Sequence, residues 1–144
     1  MSEPISIEEE LKRNGKIVYK IKGQSMYPML RQDKDLVVIT KNTGMIHPGD
    51  VVLYKRIKDN ALILHRVLKT DGNHLIIRGD HIFTNENVHV SQIIGILDSY
   101  IRNGKTIKCN SRTDNAYRSI LPFLRIITLT KQRIIRTVKS IIRL

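Results

Sequence analysis

Lys22-Gly23-Gln24-Ser25-Met26-Tyr27-Pro28-Met29-Leu30 is the stretch on which the reading of this chain turns. Glycine enters backbone regions closed to other residues, so the chain can turn sharply at Gly23 and leave the Ser25 hydroxyl exposed. Pro28 fixes its own φ and biases Tyr27 towards an extended conformation, so no helix is expected directly after the serine. A serine held in this way is a candidate nucleophile. A free hydroxyl is weak, however, and needs a base within hydrogen-bond reach.

Forty residues on, Leu64-His65-Arg66-Val67-Leu68 sets an imidazole inside an apolar, strand-like run. With an unperturbed pKa near 6.5, histidine is largely neutral at pH 7 and can accept a proton. Taken alone, Ser25 reads as a turn serine and His65 as a satisfied core histidine. Taken together, they read as nucleophile and base.

Around these two segments the pattern is that of a mainly β domain over residues 1–115, with a helix at 6–14 and a core at 16–110. Ser6 and Glu9 form a capping box for the helix, and Gly15 supplies its stop. Lys16–Lys22, Asp35–Thr40, Asp50–Ile57, Leu62–Lys69, His74–Arg78, Ile93–Ile101 and Lys105–Asn110 read as strands. Pro48-Gly49-Asp50, Asp71-Gly72-Asn73 and Asn103-Gly104 mark turns between them. The glutamates Glu8, Glu9 and Glu10 read as a solvated face.

Gly23, Ser25, Met26 and Pro28, then His65-Arg66-Val67, then Arg78-Gly79-Asp80, resemble in order the conserved boxes of the signal peptidase I and LexA-type serine peptidases. The resemblance spans residues 16–110. The base is lysine in most bacterial members and histidine in the archaeal and endoplasmic-reticulum type, which this chain resembles most. The family's coiled β fold is implied, with Ser25 as nucleophile, His65 as general base and Asp80 orienting the imidazole. The Ser25 backbone N–H would hold the oxyanion, with Gly23, Gln24 and Met26 on the substrate and oxyanion side. Bacterial signal peptidases often carry a hydroxyl where Gly23 stands, so a second donor is expected from elsewhere. Substrate would bind extended, as an added strand beside the segment leading to Ser25, with small side chains near the cleaved bond.

At 144 residues the chain suits one domain with a modest core. Its formal net charge of +12 calls for an anionic partner. The single cysteine, Cys109, excludes an internal disulfide and agrees with a reducing compartment. The N-terminus is acidic and has no apolar core, so neither a secretory signal nor the family's usual membrane anchor is expected ahead of the serine box. His74, His81 and His89 lack metal-ligand spacing, and neither metal nor cofactor is expected.

Residues 116–144 form a basic amphipathic helical tail: Ile120, Leu124, Ile127, Ile134, Val138 and Ile141 recur on a helical period, with Pro122 in the first turn or at a kink. Seven Lys or Arg and no acidic residue follow Asp114, more than half the net charge. Four cations near the middle would each cost roughly 2.5–3.5 kcal/mol on insertion, against about 0.3–0.6 gained per apolar residue, so spanning a bilayer is disfavoured. Lying on an anionic membrane surface and docking on the β domain or on a partner protein are both open.

The expectation is a serine endopeptidase trimming a leader or precursor peptide, cytoplasmic or peripheral on the inner membrane face. The rivals are an inactive peptidase-fold module that only binds peptide, and a basic membrane or nucleic-acid adaptor. The 24 residues before Ser25 cannot hold a DNA-reading helix-turn-helix, which disfavours nucleic acid.

Overall fold

The computed structural model describes residues 5–109 and 112–142. Helix α1 (Ile7–Asn14) starts at Ser6, whose hydroxyl accepts from the Glu9 amide while Glu9 reaches back to the Ser6 amide. Gly15, at φ 71°, closes it in the left-handed conformation. The strands are β1 (Lys16–Lys20), β2 (Asp35–Thr40), β3 (Val51–Lys55), β4 (Leu62–Asp71), β5 (His74–Arg78), β6 (Glu86–His89), β7 (Ile93–Arg102) and β8 (Lys105–Lys108), and α2 (Arg112–Ile142) follows. The fold is a mainly β, antiparallel sheet between a short N-terminal and a long C-terminal helix.

Strand order is β1-β2-β7-β3-β4-β5-β6, so β1 and β6 are the ends of this path. The long β7 carries β3 along its first half and β8 along its second, with β2 on its other side. Bulges at Val38/Ile39, Leu53/Tyr54 and Val67/Lys69 bend the strands, which lets one sheet wrap two cores. Successive strand residues face opposite ways. Val51 and Leu53 therefore enter one core with Leu11, Met26, Met29, Leu30 and Ile39, while Val52 and Tyr54 enter the other with Val67, Leu75 and Ile77. A strand buried on both faces reads as a continuous apolar run, as β3 does.

Three readings change against the structure. Strand β6 has no counterpart among the sequence-based strands, since four residues leave too short an alternation to stand out. Helix α2 begins at Arg112 rather than 116, because its first turn, Arg112-Thr113-Asp114-Asn115, is polar in sequence and carries no apolar period. Pro122 lies well inside α2, not in its first turn. The predicted end of the last strand, Asn110, lies outside the described residues.

Candidate active site

The loop carrying Ser25 is fastened on three sides. Gly23 takes φ 82°, the left-handed turn that delivers the serine. Past it, Met26, Met29 and Leu30 are buried in the first core, and the Leu30 amide donates to the Met26 carbonyl. The peptide bond between Tyr27 and Pro28 is cis. At the far end Asp35, wholly buried, takes hydrogen bonds from Arg102 Nε (2.8 Å) and the Arg31 amide (2.7 Å), and Arg102 also donates to the Met29 carbonyl. Burial alone would raise the Asp35 carboxyl. The bonds from Arg102 and Arg31 outweigh it and hold the pKa below the ordinary value.

Strand β4 supplies two different groups from adjacent positions. His65 shares a face with Ile63 and Val67, pairs with Val52 across β3, and is 3 % exposed. Arg66, on the opposite face, points its guanidinium at Asp80, with Nε–Oδ1 and Nη2–Oδ2 both 2.9 Å. Arg66 also donates to the Gly49 carbonyl, and the Tyr117 hydroxyl donates to Asp80 at 3.0 Å. Asp80 is thus the acid of a buried ion pair. The carboxylate on the imidazole is instead Glu86, the first residue of β6, whose Oε1 lies 3.3 Å from His65 Nδ1. Tyr54 donates to the other Glu86 oxygen at 2.9 Å and lies 3.5 Å from His65 Nδ1. Burial, with the Glu86 hydrogen bond, pushes the Tyr54 phenol far up, so it stays protonated as a donor. Desolvation lowers the His65 pKa from its ordinary value, although the charges of Glu86 and Asp80 oppose the shift.

Ser25 and His65 both approach Gly79. A Cβ built on Gly79 would lie 3.0 Å from His65 Nε2 and 3.1 Å from Ser25 Cβ, so these two atoms are no more than about 6 Å apart. The same Cβ would be 2.6 Å from the Ser25 carbonyl oxygen, which accepts from the His81 amide at 2.8 Å. The missing side chain of Gly79 is what lets the β5–β6 connection pass behind both groups.

Ser25 and His65 open into a groove of about 820 Å³, lined also by Gly23, Met26, Ile21, Leu64, Ile82 and Glu86. That volume suits a ligand site. Lys20, Lys22, Arg56 and Lys58 give its rim a positive charge. Of the sequence-derived site residues, Ser25, His65, Gly23 and Met26 share this groove. Gln24 faces a neighbouring depression with Tyr27, Arg31 and His81, and Asp80 sits with Arg66 behind the site. Glu86 and Tyr54 escaped the sequence reading. A polar–apolar alternation from Asn87 to Val90 was the available signal for the strand that bears Glu86.

Among the described residues no group of three or more His, Cys, Asp or Glu is placed to hold a metal ion. His74 and His89 are cross-strand neighbours, their rings edge to face. No curated protein gives a significant match to the chain. The family model described as Peptidase S24-like matches residues 2–97, two thirds of the sequence, including the serine loop, the histidine strand and the Gly79–Glu86 segment; the chain belongs to the Peptidase S24-like family.

Proposed function

We propose that this protein is a serine endopeptidase with Ser25 as nucleophile, His65 as general base and Glu86 as the residue that orients the imidazole. The observation that carries the reading is the convergence of Ser25 and His65 Nε2 over Gly79, with Glu86 on the opposite ring nitrogen. Ser25 Oγ attacks the scissile carbonyl carbon as its proton passes to Nε2. The leaving amine departs with that proton, and water then hydrolyses the ester by the same route in reverse. The Ser25 amide serves as one donor to the oxyanion.

Strand β1 is an open edge running directly into Gly23-Gln24-Ser25, so an extended peptide can pair there with its scissile bond at the hydroxyl. Ile21, Leu64 and Ile82 favour apolar side chains beside the bond, and the basic rim favours acidic ones further out. A leader or precursor peptide of that character is the proposed substrate class.

A serine-directed fluorophosphonate tests the chemistry without a known substrate. It should label Ser25, located by peptide mass spectrometry, and labelling should fall by about a hundredfold or more in Gly79→Ala. The added methyl wedges between nucleophile and base, and ångström-scale misplacement costs on that order. Equal labelling of Gly79→Ala and wild type would refute the arrangement.

The pH profile follows from the burial of His65. A base works only when neutral, so activity is lost as pH falls through the folded-state pKa, and that pKa is depressed. The acid limb of kcat/KM should therefore lie below pH 6.5. Glu86→Gln removes the charge that favours the protonated ring, which moves the limb further down, and loss of orientation lowers kcat by about a hundredfold or more. A limb at or above pH 6.5 would contradict the buried-base assignment.

A further inference from the structure

Among the described residues, helix α2 packs on the β domain through one face. Tyr117 bonds Asp80, and Arg125 donates to the carbonyls of Gly79 (2.9 Å) and Ile82 (2.8 Å) with its guanidinium near the Phe83 ring. Leu121, Leu124 and Thr128, with Ile127 at the margin, line a depression shared with Tyr27, Pro28 and His81. A different face carries Ile120, Phe123, Ile127, Ile134, Val138 and Ile141, at successive spacings of three, four, seven, four and three. On a 3.6-residue helix these form one stripe about 32 Å long. All six are 46–67 % exposed, so nothing in the described chain covers the stripe. Lys131, Arg133, Arg136 and Lys139 accompany its distal half, none of them in an ion pair among the described residues, and no acid follows Asp114. No helix among the described residues is long and apolar enough to cross a membrane.

We infer that the outer stripe of α2 is a bilayer-binding face, and that its occupant is the surface of a membrane rich in anionic lipid. Charge decides the occupant. An apolar stripe accompanied by uncompensated cations matches acyl chains beneath anionic headgroups, whereas a second copy of the same helix would bring like charges together. Because the inner face holds Gly79 and Ile82 through Arg125, the helix can lie on the bilayer while remaining bolted to the segment behind Ser25 and His65. The inference does not require those residues to be catalytic.

Sedimentation of the full chain with vesicles tests it. Binding to phosphatidylglycerol/phosphatidylcholine vesicles should exceed binding to pure phosphatidylcholine by about a hundredfold or more. The exposed triple variant Ile134→Asp, Val138→Asp, Ile141→Asp should lose at least about tenfold of it, with an unchanged unfolding midpoint. Ser25→Ala should bind vesicles as wild type does, which separates this face from the proposed chemistry. Equal pelleting with neutral vesicles or undiminished binding by the triple variant would overturn the inference. So would a vesicle-free dimer that the triple variant dissolves, or displacement of bound vesicles by duplex DNA at equal ionic strength.

Discussion

Ser25→Ala and His65→Gln are each expected to slow peptide cleavage by at least about 10⁴-fold, the scale on which a nucleophile and its base fail when either is removed. The two groups act on one proton transfer, so the double variant should be scarcely slower than either single one. Neither change should unfold the protein. Ser25 is partly exposed on a loop fastened by Met26, Leu30 and Asp35, and glutamine retains much of the volume that His65 fills beside Tyr54. The measurement is cleavage of a peptide library by mass spectrometry, with urea unfolding as the control. A variant folded as wild type and cleaving at a comparable rate would end the assignment of Ser25 and His65, and a wild-type protein that cleaves nothing in the library would leave a peptide-binding domain.

Asp80→Asn should have the opposite signature. The Arg66–Asp80 pair is almost wholly inaccessible, with side chains 4 % and 2 % exposed, and the substitution leaves the guanidinium facing a neutral amide. Removing one partner of a buried pair costs about 3–5 kcal/mol, a large part of the stability of a domain this size. The midpoint in urea should fall accordingly, while activity per folded molecule stays within about tenfold of wild type. Glu86→Gln should show the reverse, with little change in midpoint and a large loss of kcat. If Asp80→Asn leaves stability intact and abolishes turnover, Asp80 rather than Glu86 serves the imidazole.

That exchange of carboxylates shows where sequence reading stops. The serine loop, the His65 strand and the hairpins were legible because each rests on local chemistry: a left-handed glycine at 23, a proline at 28, Gly72 and Asn103-Gly104 at tight turns. Which acid reaches the His65 ring is a long-range matter. It depends on β6 returning beside β5, with Ile77 opposite Glu86, and four residues of strand carry too little pattern to announce it. Gly79 was readable as a turn, yet its value lies in what its absent side chain leaves free for Ser25 and His65. Among the described residues, the side-chain bonds that hold α2 to the β domain come from Tyr117, Arg118 and Arg125 in its first half, and no periodicity distinguishes that half from the second. The helical period was visible; the two separate apolar faces needed the β domain beside them.

Strand β1 carries one more implication. Lys16, Val18 and Lys20 are all exposed along the outer border of the sheet. A border of unpaired backbone groups invites another copy to attach, and lysines spaced along it set two such borders in mutual repulsion. With a peptide paired there as proposed, the same ammonium groups would favour a strand with carboxylates, Lys20 exchanging its exposed partner Asp33 for the guest. One row of side chains would then tell guest from sibling, discouraging assembly into ribbons at high concentration while leaving the berth open to an acidic visitor.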